Sequence, residues 1–428
     1  MSSTSPIAGP IGYCYSPARN EGPGGPERKG LLVRKIIGLF AVAALSIGLI
    51  AVADRASAYV ESAAVVPSPN VSDASNLYSV SCISTTSCVA VGASADNTNF
   101  DALAMAWDGT SWTVLTTPSV ASSVAILVSV SCTSPTSCVA VGTYSNAGTD
   151  QSLAMSWDGS AWTTAVVPSV GADDNFLESV SCVSATFCVA VGASFDGTKY
   201  QTLVATWNGS AWAVAVSPNE GPDANLLSSV SCTSATSCVA VGHYFDGPYI
   251  SGTKTLAMKW DGTDWTIIPS PNNNLGTDPN RLFSVSCVSP TSCFAIGSTG
   301  SGGIETLAMT WDGTDWTILL SPNPAAENYL ESVSCVSSTE CVVVGVGVDN
   351  SNVGSPLVLT WNGTIWTQLS VADVGTEDDM LSGVSCAASY SCMAVGYSAT
   401  NGQDQTLAVS LTGPVPPSPD PVAPSFTG

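Results

Sequence analysis

The 428-residue chain has few positively charged side chains and a single histidine. It contains ten Lys and Arg residues against 33 Asp and Glu. Beyond residue 58 only four cations remain, Lys199, Lys254, Lys259 and Arg281. Nucleic acid and anionic lipid bind to clustered cations, so this composition excludes both as partners. The scarcity of histidine and arginine also argues against transition-metal oxidation and sialidase-like chemistry.

Long hydrophobic runs are also scarce, and the one that stands out covers residues 36–53. Basic residues precede it and Ala56-Ser57-Ala58 follows it, which is typical of an export signal. Its eighteen residues also approach the length that spans a bilayer, so cleavage after Ala58 and retention as an anchor both stay open. We predict a basic region without a fold at 1–35, a signal core or anchor at 36–58, and an extracellular or cell-surface location for the remainder. Membrane contact is expected through this segment only.

Seven copies of one motif, about fifty residues apart, lie between Leu77 and Leu407. Each copy reads Leu-x-x-Val-Ser-Cys, then five residues, then Cys and a short apolar run that ends in Gly. In the third copy these segments are followed by the apolar stretches Thr202–Trp207 and Trp212–Val216. Short apolar stretches separated by turn residues predict four antiparallel strands per repeat, and no stretch shows the 3.6-residue period of a helix.

A four-stranded unit of this size buries both faces when copies pack around an axis. The repeats therefore predict an all-β fold, a seven-bladed β-propeller over residues 59–413, with a β-solenoid as the alternative. The seventh copy ends one strand short, whereas Val65–Asn70 matches Ile267–Asn272, the end of a fourth strand. We therefore predict that an N-terminal strand closes the last blade and removes its free edges. Residues 414–428 are a predicted proline-rich tail.

Fourteen of the fifteen cysteines form one Cys-x5-Cys pair per repeat. A hairpin with a five-residue loop places such a pair opposite each other, at a distance that suits a disulfide. Zinc binding is the alternative, but zinc sites favour shorter spacings and histidine support. The predicted disulfides join Cys82 to Cys88, Cys132 to Cys138, Cys182 to Cys188, Cys232 to Cys238, Cys287 to Cys293, Cys335 to Cys341 and Cys386 to Cys392.

The order of the landmarks in each repeat resembles a kelch-type repeat. An apolar strand ends in Gly, and a loop, Leu-x-x-x-Trp-Asp-Gly, Trp-Thr and Pro follow, over about 350 residues of the chain. The segment from Trp107 to Trp112 is also similar to the Asp-box of sialidase-like propellers, although its Asp and Gly are adjacent. The paired cysteines look like the cysteine-bearing repeats of secreted actinobacterial proteins, which mostly lack an assigned activity. These resemblances imply a secreted propeller and no particular reaction.

Residues that break the repeat are the candidates for function, because loops on a rigid scaffold carry most binding sites. The fourth repeat is five residues longer than the usual spacing. Its extra loop is predicted to hold five ligand-binding residues, and an ordinary tolerated insertion is the alternative. These residues are His243, Tyr244, Phe245, Asp246 and Tyr249. Most acids lie in the variable loops, among them Asp173, Asp174, Asp223, Asp278, Glu327, Glu377, Asp378 and Asp379.

Two functions remain open at this point. The first is a non-catalytic binding or scaffold module, a monomer that recognises an extracellular glycan, cell-wall component or protein. The second is an extracellular glycoside hydrolase or lyase with two carboxylates about 5–10 Å apart at the channel. No sequence feature selects such a pair, so no catalytic residue and no cofactor are predicted. Calcium is the one metal that acidic loops would suit. The twelve tryptophans are interpreted as packing residues rather than sugar platforms.

Overall fold

The computed structural model describes residues 60–413, apart from 97–98, 121, 123, 172, 248–251, 274–278, 301–302 and 390. These residues fall within one unit, Ala58–Gly428. The predicted export segment, its cleavage site and the proline-rich tail lie outside the described residues, so those expectations stay predictions. In the described part of the chain, no helix has the length and apolar character needed to cross a membrane.

Each repeat folds into one antiparallel sheet of four strands, and there are seven such sheets. In chain order the strands are β1 (Ser62–Val66), β2 (Ala74–Ser84), β3 (Ser87–Ala95), β4 (Phe100–Trp107), β5 (Trp112–Leu115), β6 (Ala125–Ser134), β7 (Ser137–Asn146), β8 (Thr149–Trp157), β9 (Trp162–Ala165), β10 (Asn175–Ser184), β11 (Phe187–Phe195), β12 (Tyr200–Trp207), β13 (Trp212–Ala215), β14 (Asn225–Ser234), β15 (Ser237–Phe245), β16 (Thr253–Trp260), β17 (Trp265–Ile267), β18 (Asn280–Ser289), β19 (Ser292–Thr299), β20 (Glu305–Trp311), β21 (Trp316–Leu319), β22 (Glu327–Ser337), β23 (Glu340–Val348), β24 (Gly354–Trp361), β25 (Trp366–Leu369), β26 (Asp379–Ala388), β27 (Ser391–Thr400) and β28 (Gln403–Thr412). Blade 1 is β2–β5, and each following set of four strands forms the next blade, up to β22–β25 in blade 6. Blade 7 combines β26, β27 and β28 with β1, so the predicted seven-bladed β-propeller is confirmed.

Both faces of each blade are buried against neighbouring blades, which explains why the second strand of every repeat is continuously apolar. In β11, Ala190 packs against blade 2, whereas Val189 and Val191 pack against blade 4. Gly192 ends this run because the backbone of the first strand bulges toward it. A Cβ atom at Gly192 would lie 2.1 Å from the carbonyl oxygen of Phe176. The glycine that recurs in every repeat is therefore required by this close approach.

The N-terminal strand closes the ring, as the sequence predicted. β1 pairs antiparallel with β28, from Ser62 opposite Thr412 to Val66 opposite Ala408. Beyond β1, the side-chain oxygen of Asn70 accepts the N–H of Thr406 at 2.7 Å. The chain therefore enters and leaves the propeller at the same end of blade 7.

Serine hydroxyls join the innermost strands around the axis. The first strand of each blade contacts the first strand of the next, and β26 contacts β2, so these strands form a closed ring. Ser79 Oγ accepts the N–H of Val130 at 3.2 Å, and Ser81 Oγ accepts the N–H of Cys132 at 3.0 Å. Equivalent bonds recur around the ring and number thirteen. We call this set the serine ring; Gly383 takes the place of one serine and leaves a single gap.

We expect Ser231→Ala to lower the free energy of unfolding by about 1–3 kcal/mol, because the N–H of Cys287 then loses its partner between two blades. Chemical denaturation monitored by tryptophan fluorescence measures this change. Ser119→Ala, at an exposed serine, is the control and should change the value by less than about 0.5 kcal/mol. Equal effects of the two substitutions would contradict a stabilising serine ring.

We expect removal of residues 59–70 to destabilise the propeller by about 3–5 kcal/mol, because the ladder with β28 and the buried side chain of Val60 are lost. The exposed edge of β28 should also promote aggregation. Calorimetry and light scattering measure the two effects. Truncation after Gly413 is the control and is expected to leave the melting temperature in place. An unchanged melting temperature without residues 59–70 would show that β1 does not close the ring.

Candidate functional site

The loops of the propeller divide between its two ends. At one end the disulfide hairpins lie beside the Trp-Asp-Gly turns, and Trp107 Nε1 donates to the carbonyl of Thr85 at 3.2 Å. The same bond recurs in four more blades. We call this end the disulfide face. At the other end, the variable face, inter-blade loops contact the loops between second and third strands, as where the N–H of Phe195 donates to the carbonyl of Asp174 at 2.8 Å.

All seven predicted disulfides are present, one in the first hairpin of each blade. Each joins two residues that are directly opposite in the ladder, such as Cys182 and Cys188. The bonded cysteines provide no thiolate for catalysis or metal binding. Disulfides at this density are typical of an oxidising extracellular environment.

The repeated turns on the disulfide face have a structural role. Asp108 Oδ1 accepts the N–H groups of Thr110 and Ser111 at 2.8 Å and the Thr110 hydroxyl at 2.7 Å. Together these hydrogen bonds lower the pKa of Asp108 to about 2, and the bond from the Thr110 hydroxyl contributes most. The paired tryptophan rings lie 5.3 to 5.8 Å apart in the six hairpins. The two rings of each pair therefore pack on each other across the hairpin, as expected for a structural role.

The candidate residues of the fourth repeat lie differently from the prediction. His243, Tyr244 and Phe245 were placed in an extra loop, but they form the end of β15 and continue its ladder with β16. The loop placement was wrong because the strand pairing extends three residues beyond the apolar run. His243 and Phe245 are only 2% and 9% exposed, and their rings meet edge to face with centroids 5.9 Å apart.

Burial also sets the chemistry of these residues. It lowers the pKa of His243 to about 3, and the nearby charge of Arg281 adds to the effect, so the imidazole is neutral at physiological pH. Asp246 is exposed and forms an ion pair with Lys254. Tyr249 lies outside the described residues. Ligand binding by this segment stays a prediction, and Tyr244 and Asp246 are the described members that an external ligand could reach.

An open cleft of about 580 Å³ lies on the variable face of blade 3. Buried Leu203 and half-buried Ala215 form its apolar floor, and Val216, which is 93% exposed, stands at its edge. Its polar lining comes from three loops and from strand β12. These polar residues include Asp173, Asp196, Gln201 and Asn219.

Hydrogen bonds of asparagine side chains hold the rim of this cleft in place. Asn175 is fully buried at the start of β10; its side-chain oxygen accepts the N–H of Val170 at 2.8 Å, and its amide donates to the carbonyl of Asp173 at 2.7 Å. On the opposite side, Asn219 Oδ1 accepts the N–H of Thr202 at 2.8 Å. Loops fixed in this way lose little conformational freedom when a ligand binds.

Carboxylates dominate the charge of the cleft. Asp196 accepts the Thr198 hydroxyl at 2.5 Å, two backbone N–H groups and the Gln201 amide at 2.9 Å. Together these hydrogen bonds lower the pKa of Asp196 to about 2, and the bond from the Thr198 hydroxyl contributes most. The side chain of Asp173 accepts no hydrogen bond from the described residues, and the lining contains no Lys or Arg. The cleft therefore offers acceptors and negative charge.

A second candidate site lies on the inner strands. In β10, Leu177 pairs opposite Gly192 and Ser179 opposite Val191, so Glu178 is the extra residue of a β-bulge. Leu177 packs against blade 2 and Ser179 bonds to blade 4. The side chain of Glu178 belongs to neither interface and is half-buried, so we infer that it faces the central channel.

Glu331 occupies the same bulge position in β22 of blade 6. Burial raises the pKa of Glu178 and of Glu331 to about 7, and no hydrogen bond or cation from the described residues opposes this effect. Neither residue was predicted from the sequence as a candidate for function. The sequence does distinguish them in one respect. Each repeat has one residue between its Leu and the following Ser, which is Gly in the last copy, and this residue is charged only in the third and sixth repeats.

The described residues contain no group of three or more His, Cys, Asp or Glu side chains arranged to hold a metal ion. Asp379, in an acidic stretch of the variable face, instead accepts the N–H of Val374 at 2.6 Å and organises its own loop. Calcium binding, and the monomeric state, stay predictions.

No family model matches the chain, and no curated protein matches it in sequence. Solved structures are similar in fold. One is YCF48 bound to D1 peptide, with a TM-score of 0.52 at 14% identity, covering 84% of this chain and all of that one. Another is a protein of unknown function from Dyadobacter fermentans, with a TM-score of 0.51 at 10% identity and the same coverage. At such identities the likeness shows the fold alone. The chain is thus a seven-bladed β-propeller, and the kelch-type and actinobacterial resemblances stay predictions.

We expect stability to fall as the pH rises from about 4.5 through about 7. The folded state binds protons at Glu178 and Glu331 more tightly than the unfolded state does. Ionisation of these two residues therefore destabilises the folded state, and this loss of stability is absent below about pH 4.5 and complete above about pH 7. Replacing both residues with Gln should raise the free energy of unfolding at pH 8 by about 1–3 kcal/mol per site and leave it nearly unchanged at pH 4. Denaturation at both pH values measures the difference.

Glu305→Gln, at an exposed glutamate of the variable face, is the control, and its stability should follow the pH curve of the unchanged chain. A double Gln variant that gains nothing at pH 8 would show that the channel does not disfavour the two ionised carboxylates.

Proposed function

We propose that this protein is an extracellular, non-catalytic binding module that recognises a glycan in the cleft of blade 3. The observation that carries the proposal is the combination of an apolar floor with a fixed rim of hydrogen-bond acceptors. Its volume of about 580 Å³ lies within the range of sites that enclose small ligands.

A sugar ring matches this lining because it has two kinds of surface. Its C–H face can pack on exposed Val214 and half-buried Ala215, which line the cleft, while its hydroxyls donate to acceptors at the rim. The Asp173 carboxylate and the Gln201 side-chain oxygen line the cleft and accept no hydrogen bond from the described residues. A preformed site of this kind gives specificity at low entropic cost.

A glycan fits the cleft better than a protein partner does. A stable protein–protein interface covers roughly 800 Å² on each side, whereas this site is a local concavity within one blade. An anionic ligand is disfavoured because the lining holds two carboxylates and no cation. Binding of a protein, or of a cell-wall fragment without a sugar face, in place of a glycan would therefore contradict the proposal.

The second candidate function is carbohydrate hydrolysis or cleavage by the channel carboxylates. The observation in its favour is that Glu178 and Glu331 hold half-buried carboxyl groups whose pKa is about 7. A carboxyl group that is still protonated near neutral pH can act as a general acid, as glycosidases require. Release of reducing sugar that is lost in both Glu178→Gln and Glu331→Gln would establish this function.

We expect the purified, disulfide-bonded chain to bind a subset of a neutral and basic glycan array without releasing reducing sugar. Gln201→Ala should weaken binding about tenfold, because one rim acceptor and the amide that orients Asp196 are lost. Titration calorimetry with the best array ligand measures the loss. Gln405→Ala, at the equivalent position of blade 7, is exposed and should bind as the unchanged chain does.

Absence of binding to every glycan would contradict the proposal, as would equal losses in Gln201→Ala and Gln405→Ala. Product release from any array glycan would favour the channel enzyme over the binding module.

A further inference from the structure

The cleft of blade 3 brings together carboxylates from two separate loops. Asp173 lies in the loop that enters blade 3, and Asp196 lies in the loop between β11 and β12. The loops are adjacent, since a Cβ atom at Gly197 would lie 3.6 Å from Asp173 Oδ2. Both carboxylates line the same concavity, which is enclosed by apolar side chains as well. The negative charge of the cleft therefore comes from two exposed carboxylates at the rim of one concavity.

Among the described residues, no cation neutralises the pair from within the cleft. The lining residues include no Lys or Arg. Lys199 is the nearest cation in sequence, and its ammonium group donates to the carbonyl of Pro222 in the loop that leaves blade 3. A ligand that enters the cleft thus meets two carboxylates whose charge has no counter-ion in the described lining.

The two carboxylates differ in what they can still accept. Asp196 already accepts hydrogen bonds from four donors, which hold it in place. Asp173 accepts none at its side chain from the residues that the structure describes, although its backbone carbonyl is fixed by Asn175. Asp196 therefore contributes a fixed charge, and Asp173 contributes both charge and open acceptor positions.

We propose that the cleft selects an amino sugar, a glycan that carries free protonated amines, over its N-acetylated and acidic counterparts. This inference rests on the proposed glycan-binding function and names the ligand class for the same site. An ammonium group supplies three hydrogen-bond donors and a positive charge, and it complements Asp173 directly. N-acetylation removes the charge and adds bulk, and a uronic acid places like charges together.

The size of the preference follows from charges at a solvent-exposed surface. Coulomb attraction between an ammonium group and a carboxylate near water is expected to give about a threefold to tenfold preference, which corresponds to about 0.7–1.4 kcal/mol. The remaining carboxylates of the variable face add a long-range field that favours the approach of cations. Both contributions weaken when salt screens the charges.

The experiment compares tetramers of glucosamine, N-acetylglucosamine and a hexuronic acid by titration calorimetry against the purified chain. At about 50 mM salt we expect the glucosamine tetramer to bind about three to ten times more tightly than the N-acetylated tetramer, and the acidic tetramer to bind weakest. At about 300 mM salt the preference should shrink. Asp173→Asn should bring the ratio of the two affinities close to one.

Asp223→Asn is the matched control, because Asp223 occupies the equivalent position of the next inter-blade loop, and its carbonyl accepts the Asn225 amide at 2.8 Å. It changes the net charge equally and should preserve the preference. Equal binding of the glucosamine and N-acetylglucosamine tetramers would overturn the amine selectivity and leave glycan binding intact. A preference that survives Asp173→Asn would overturn its assignment to the cleft. If none of the tetramers binds, and the glycan array is also negative, the proposed function itself fails.

Discussion

The backbone N–H groups of the innermost strands set the constraint on which this propeller depends. Each first strand pairs with its own blade along one edge, and its other edge faces the axis without a partner strand. Buried N–H groups without a partner are costly. Serine hydroxyls such as Ser79 and Ser81 accept these groups from the next blade and so link all seven blades. The repeated Ser-Val-Ser-Cys segment thus supplies the inter-blade bond, an apolar contact and one half of a disulfide.

A ring built in this way leaves little freedom for function on the repeated parts. The disulfide face is occupied by turns whose carboxylates, such as Asp108, bond to their own backbone. Function is left to the variable face, where loops differ between blades but are still anchored. Asn175 shows how: a buried side chain at the head of an inner strand positions two residues of the cleft rim. The same fold therefore supplies rigidity at one end and a shaped, variable surface at the other.

Ring closure also creates an interior that no single blade has. The bulge in each inner strand turns one side chain toward the axis, and in blades 3 and 6 that side chain is a glutamate. Glu178 and Glu331 lie far apart in sequence, yet they occupy the same bulge position in β10 and β22. Their raised pKa values arise from enclosure by the ring rather than from a neighbouring charge. The effect is opposite to that at Asp196 on the variable face, where hydrogen bonds lower the pKa of the carboxyl group.

The sequence alone determined the blade count, the strand order, the closing strand and every disulfide, because these depend on local patterns repeated at a fixed spacing. It also indicated the packing role of the tryptophans, since the two residues that flank a tight turn lie opposite each other in the hairpin. It misplaced His243, Tyr244 and Phe245, because strand ends depend on pairing with the neighbouring strand, which a change in composition does not reveal. It did not single out the cleft, which needs Asp173 and Asp196 from different loops to meet. Only the tertiary structure decides which residues of different loops lie close together, since this depends on how the loops fold over the ends of the blades.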